Sequence, residues 1–283
     1  MVDRYVEGRS LAAATEESYR YHLRKYLARF RNRAMADISR SEARDLFETL
    51  KARSGLTTAS GVMRTLRALF NEAKRYDETI TSNPVDSLRV PLPKRREIDE
   101  IDLPAWWAKV SAVTPIRRDL HVFLMLTGLR RKSATTIRRS DVDLTRGIIR
   151  VRHMKSGRPF LLPLSNFLVE LLRKRMAEDE PIASEWLWPS PTSKCGHVVE
   201  PREDGLPSAH VYRHLWRTYA IAAGVPYAES ALLLDQRLPG ASGGYVHAEH
   251  LSEQLRRFQE MVSSYLLGRA LPTTGDEGRL LAE

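Results

Sequence analysis

The sequence predicts a mainly α-helical protein in two units, the second of which carries one small β-sheet. Three observations support this. Apolar residues recur at helical spacing over most of the chain, the period turns strand-like only between Arg146 and Leu164, and a proline-rich basic stretch separates two periodic regions. With 283 residues, 42% of them hydrophobic, the chain can fill one large or two ordinary domains.

The first helix is predicted over TEESYRYHLRKYLARF, with Thr15 as its cap, acids in the first turn, and Tyr19, Leu23, Tyr26 and Leu27 on one face. A second helix follows Ser39. A third covers roughly TTASGVMRTLRALFNEAKRY, where Val62, Leu66, Leu69 and Phe70 form an apolar stripe and Arg64, Arg67, Lys74 and Arg75 take other faces. This makes a small all-helical unit with a basic surface. The stretch SNPVDSLRVPLPKRREIDEIDLP then sets Pro84, Pro91, Pro93 and Pro104 around the cluster Lys94 to Arg96. It reads as an interdomain linker in preference to a long surface loop. The expected boundaries are 1–88 for the helical unit, 89–102 for the linker, 103–270 for the second unit and 271–283 for a flexible tail.

In the second unit, helical patterns run from Trp106 to Leu126 and resume after Gly128. Ile148, Val151 and the run Phe160 to Leu162 read as strands of a hairpin whose turn is Lys155-Ser156-Gly157-Arg158. Helices resume near Ser165. Pro181 to Pro207 reads as a long loop anchored by Trp186 and Trp188, and a helix carrying HVYRHLWRTYAIAA follows, ended by Gly224 and Pro226. The last helix, EHLSEQLRRFQEMVSSYLLGRAL, places Leu251, Leu255, Phe258, Met261, Val262 and Leu266 on an apolar stripe. That stripe suits the core of its own unit, or less readily a neighbouring copy.

Lys and Arg outnumber Asp and Glu by 45 to 35, a net charge of +10 that attracts polyanions, although a well-solvated basic surface gives the same sum. Cys195 is the sole cysteine, so neither an intrachain disulfide nor a multi-cysteine zinc site can be built, and His197 nearby does not rescue a metal reading. No apolar run approaches the roughly 20 residues that cross a bilayer, and Asp3, Arg4 and Glu7 are unlike a secretory signal, so a cytoplasmic protein is expected.

Four segments then form a recognisable series. LMLTGLRRKSATTIRRSDVDL resembles the first catalytic box of the tyrosine recombinases of phage-integrase type, in which the arginine of Thr-Gly-x-Arg contacts the scissile phosphate; the match is Arg130. IIRVRHMKSGRPFLLPL looks like that family's hairpin, whose turn lysine approaches the cut, and gives Lys155. SAHVYRHLWRTYAIAAGV resembles the His-x-x-Arg box and gives His210 and Arg213. LLLDQRLPGASGGYVH is similar to the last box, where His or Trp precedes the nucleophilic tyrosine by nine positions, and gives Gln236 and Tyr245. Each box alone is weak; their order gives the resemblance its weight.

The resemblance implies a helical core-binding (SAM-like) domain and a mostly helical catalytic domain with a small sheet, closing as a C-shaped clamp on duplex DNA. It implies site-specific strand exchange through a 3′-phosphotyrosyl intermediate, integrating or excising a phage or other mobile element. The protein would assemble as a tetramer on DNA, with accessory directionality or DNA-bending proteins as further partners and without metal or cofactor. By the same resemblance His210 assists the phenol and Lys155 is the general acid. The residue types suit that chemistry. Arginine's planar fork can donate to two phosphate oxygens at once, and a phenol of ordinary pKa about 10 must lose its proton as it attacks. His210 and Arg213, three apart on a helix, are expected to share a face. Arg217, one turn further, reads as a DNA-backbone contact or a solvated charge rather than a catalytic group.

Three positions depart from the family pattern. Ser133 stands where an acid is usual, either loosening Arg130 or passing its orientation elsewhere. Val211-Tyr212 replaces Asp-Leu, a packing change. Gln236 replaces His or Trp; it can donate to a phosphate oxygen but cannot titrate near neutrality. Only about a dozen residues precede the first helix, leaving no room for an arm-binding domain, as in a two-domain recombinase or a truncated chain. The alternatives weighed are a non-cutting DNA-binding homologue and a type IB topoisomerase-like enzyme.

Overall fold

The computed structural model describes residues 11–91, 98–154, 159–236 and 252–271. The chain divides into two compact units, Met1–Arg96 and Glu97–Glu283. Among the described residues no helix is long and apolar enough to cross a membrane.

In the first unit, α1 spans Ala13–Lys25 and α2 spans Arg40–Ala73. Ala12, not the expected Thr15, occupies the α1 cap position, and the backbone N–H of Thr15 already donates to Ala12 O at 2.7 Å. Ser39 caps α2 in a reciprocal box: Glu42 N–H donates to Ser39 Oγ, and Ser39 N–H donates to Glu42 Oε2. The two helices expected here abut directly at Gly55, whose φ of 81° breaks the helical path without a connecting loop. Val62, Leu66 and Phe70 from the expected stripe pack with Leu27, Phe30, Ile38, Phe47, Ile80 and Val85 in the core. Asn83 closes the end of the unit, donating to Arg67 O and Asn71 Oδ1 while accepting from Val85 N–H.

The second unit begins with α3 (Leu103–Ser111) and α4 (Pro115–Thr127). The periodic run from Trp106 to Leu126 is thus two helices. Pro115 sits in the first turn of α4, a position that tolerates its missing N–H, and it stops any continuation of α3. A short helix α5 (Arg131–Thr135) leads to a three-stranded antiparallel sheet. Its strands are β1 (Val142–Asp143), which the sequence pattern did not reveal, β2 (Ile148–Val151) and β3 (Phe160–Pro163). Ile149 pairs with Leu162 and Val151 with Phe160, and all four face the core. The hairpin turn, residues 155–158, lies outside the described residues.

Next come α6 (Asn166–Glu178), capped by Ser165, and α7 (Ala209–Ala222), capped by Ser208. They are followed by α8 (Tyr227–Leu233) and α9 (Ser252–Ala270). The long segment before α7 is anchored as expected by buried Trp188, whose Nε1–H donates to Ala134 O. Trp186 is only half-buried, between the His197 ring and the Arg138 guanidinium. The stripe of α9 is spent within this unit: Leu255, Val262 and Leu266 are buried against its core, and α9 packs on α3, α8, β3, α7 and α4. Leu251 and the tail from 272 onward lie outside the described residues.

Candidate functional site

The site is built where α4 ends. Its last apolar turn is followed by Gly128, whose φ of 59° is left-handed. A Cβ added there would stand 2.8 Å from Trp216 Cγ and 2.9 Å from Leu234 Cδ2, so both conformation and space require glycine. A helix leaves its final carbonyls without intrahelical partners. Here side chains from elsewhere in the unit take them. Trp216 Nε1–H and the Gln259 amide both donate to Leu126 O, at 2.8 and 2.7 Å, and Arg213 donates to Gly128 O at 3.0 Å. The turn so fixed delivers Arg130, the residue capping α5, into the site.

Arg213 is 8% exposed on α7 and donates a second hydrogen bond, to Leu234 O at 3.0 Å, where α8 ends. Its guanidinium pKa is pulled down to about 10, by burial first and then by the charges of Arg130 and Arg217, with Asp235 acting in the opposite sense. Arg213 stays charged at neutral pH, but it lies close enough to two like charges to feel them. Arg130 Nη1 and Arg217 Nε are buried with no hydrogen-bond partner among the described residues. An unpaired buried charged donor costs about 1–3 kcal/mol or more, a cost that an anion placed against these donors could offset.

The end of α8 sets Gln236. Asp235 adopts φ 48°, Asp235 N–H donates to Leu232 O, and Gln236 N–H donates to Ala231 O, both at 2.9 Å. These are the two bonds of a Schellman motif, with aspartate in the left-handed position that glycine usually fills. The side chain of Gln236 accepts from Arg217 Nη2. Arg217 is therefore not a free solvated charge.

His210 stands exposed near the start of α7, its Nε2 at 3.1 Å from Nε2 of His214. Although His210 and Arg213 are three apart, the arginine turns into the core while the histidine stays outside with His214. His214 was not singled out in the sequence, yet its place one turn after His210 was a visible signal. Burial, then His210 and then Arg213, hold its pKa below the ordinary histidine value. Lys155 and Tyr245 lie outside the described residues. So the structure brings together Arg130, Arg213 and, through Arg217, Gln236.

Two departures from the family pattern acquire contacts. Ser133 is buried and donates from Oγ to His153 O at 2.7 Å, tying α5 to the chain just beyond β2, two residues before Lys155. Tyr212 is fully buried, and its hydroxyl accepts from Trp106 Nε1–H at 3.0 Å and lies 2.9 Å from His121 Nδ1. The packing change is thus also a polar link. Burial pushes the Tyr212 phenol up and the His121 imidazole down to about 4.

Residues 111–231 match the phage integrase family model. Prophage integrase IntF of Escherichia coli (strain K12) is 26% identical over 237 residues, which cover 76% of this chain and 50% of that protein. This chain thus spans about half the length of IntF. Tyrosine recombinase XerA of Thermococcus onnurineus (strain NA1) is 25% identical over 272 residues, 90% of either chain. Among solved structures, a lambda integrase dimer bound to a COC′ core site aligns with TM-score 0.65 at 20% identity, covering 87% of this chain and 96% of that one. The Tn1549 transposon integrase in complex with circular intermediate DNA aligns with TM-score 0.63 at 14% identity, covering 100% and 97%. At such identities these structures establish a shared fold. Residues 111–231 therefore carry a likeness to the phage integrase family, and the curated relatives that extend it include two proteins named tyrosine recombinase.

Proposed function

We propose that the protein is a site-specific recombinase that cuts and rejoins duplex DNA through a 3′-phosphotyrosyl intermediate, with Tyr245 as nucleophile. The observation that carries this is the closeness of Arg130 to buried Arg213, whose charge it perturbs, with a buried Arg130 donor that has no hydrogen-bond partner among the described residues. A phosphodiester under attack gains negative charge on its non-bridging oxygens, and preorganised cationic donors lower the barrier by several kcal/mol.

In this reading the Tyr245 oxygen attacks phosphorus, the bond to the 5′ oxygen breaks, and the phosphotyrosyl bond conserves its energy. The phenol proton passes toward His210, and Lys155 protonates the departing 5′ oxygen. Attack by a 5′ hydroxyl of a second strand reverses the step, joining new partners without ATP. Residues 1–88 serve as the core-binding domain, 89–102 as the linker, 103–270 as the catalytic domain and 271–283 as the tail. The two domains close as a C-shaped clamp on DNA, four copies assemble on the recombining sites, and accessory proteins set direction. The setting is cytoplasmic, and the biological outcome is integration or excision of a mobile element. Dimeric and tetrameric DNA complexes of the structurally similar lambda integrase support this assembly.

The test is incubation with nicked suicide duplexes. Wild type should give a DNA adduct that survives SDS, and Tyr245→Phe should give none. Tight binding without an adduct in wild type would sink the enzyme reading and leave a DNA-binding homologue. Binding should weaken with salt at a slope of about −0.9 per neutralised phosphate.

A further inference from the structure

Gln236 is held twice. Its backbone N–H closes the Schellman motif on Ala231 O, and its side-chain oxygen accepts from Arg217 Nη2. Arginine has donors only, so the amide oxygen, not the nitrogen, must face it. An amide whose oxygen is committed to a cation offers only its two N–H bonds, and that donation polarises them into better donors. Arg217 is itself fixed, with its guanidinium carbon 4.8 Å from the Tyr227 ring centroid.

Arg217 lies one turn beyond Arg213 on the same helix, and its charge is felt by Arg213. We propose that Arg217 is a positioning residue: it orients Gln236 so that the amide N–H groups donate to a scissile-phosphate oxygen. The Arg217–Gln236 pair thereby does the work that the family pattern gives to a single His or Trp. This rests on the recombinase reading above.

The experiment measures the rate of SDS-resistant adduct formation by the full chain on labelled nicked duplexes of randomised sequence, with DNA retention on filters and thermal midpoint followed in parallel. Gln236→Glu keeps an acceptor for Arg217 but removes the N–H donors; the adduct rate should fall about 10²-fold with the thermal midpoint held. Arg217→Ala should cost on the order of 10-fold or more in the wild-type background. It should cost under about 3-fold beside Gln236→His, because a ring N–H needs no carbonyl to be held. Arg217→Lys, which retains one donor, should recover most of the rate even where Arg217→Ala folds poorly. Wild-type rates in Gln236→Glu, or an equal cost of Arg217→Ala in both backgrounds, would overturn the pair. Absence of an adduct in wild type would instead strike the recombinase reading itself, before any variant is compared.

Discussion

Two arginines, Arg175 and Arg213, are buried among the described residues of the second unit, and their surroundings are opposite. Arg175, 3% exposed, is enclosed by carboxylates: Asp119 at 3.0 Å from α4, Asp179 at 3.0 Å, and Glu178 beside them. Arg118 adds a further cation on Asp119 at 2.8 Å. Arg213 instead meets two backbone carbonyls and the charges of Arg130 and Arg217. The first group sets each arginine against carboxylates and ties α4 to α6. Arg175 Nε, though outside hydrogen-bond geometry, still faces Asp179 at 3.0 Å, whereas among the described residues Arg130 Nη1 and Arg217 Nε have no hydrogen-bond partner and Arg213 feels both charges. Burial alone does not describe a buried arginine; the charges around it must be counted as well.

That contrast can be broken by substitution. Arg175→Met should strand Asp179 without its ion-pair partner, leave Asp119 to Arg118 alone, and cost about 3–5 kcal/mol of unfolding free energy. A denaturant midpoint within 1 kcal/mol of wild type, on the order of the worth of an exposed pair, would show that the group is not closed as described. Arg130→Lys should leave stability about unchanged, since the positive charge is kept, while adduct formation falls about 10²–10³-fold because a point charge cannot reproduce the planar fork. Parallel losses of stability and rate would erase the difference between the groups.

A smaller effect tests the acid side of α4. His121 has its pKa lowered from 6.5 to about 4, chiefly by burial. The folded protein therefore holds it neutral where the unfolded chain takes up a proton. Stability from this residue is complete above pH 6.5, falls as pH drops toward 4, and levels off below. The loss is at most about 3 kcal/mol. Denaturation between pH 7 and pH 4 should show this slope in wild type and a shallower one in His121→Gln. Equal slopes would mean that another group titrates in that window.

Elements governed by local chemistry were legible. The Ser39, Ser165 and Ser208 caps and the strands meeting at Ile149 and Leu162 follow from spacing and cap residues. The break between α3 and α4 was obscured because apolar spacing continued across it, with Pro115 as the sole breaker. β1 is too short to show alternation. Of the site, Arg130 and Arg213 were readable, and so was the place of Gln236. Its partner was not: Arg217 lies 19 positions away, and no local period joins a helix turn to the end of the next helix. The Trp106–Tyr212–His121 link joins residues 91 and 106 positions apart and escaped for the same reason.

The double capping of the Leu126 carbonyl also bears on when the pocket forms. Its two donors come from residues 90 and 133 positions later, Trp216 and Gln259. Contacts of such long sequence separation must overcome loop-closure entropy before they return any stability, so they belong to the slow part of folding. A nascent chain that has made α4 and α5 but not α9 would still lack one of the bonds that fix the turn before Arg130. The turn before Arg130 is therefore among the last features to mature.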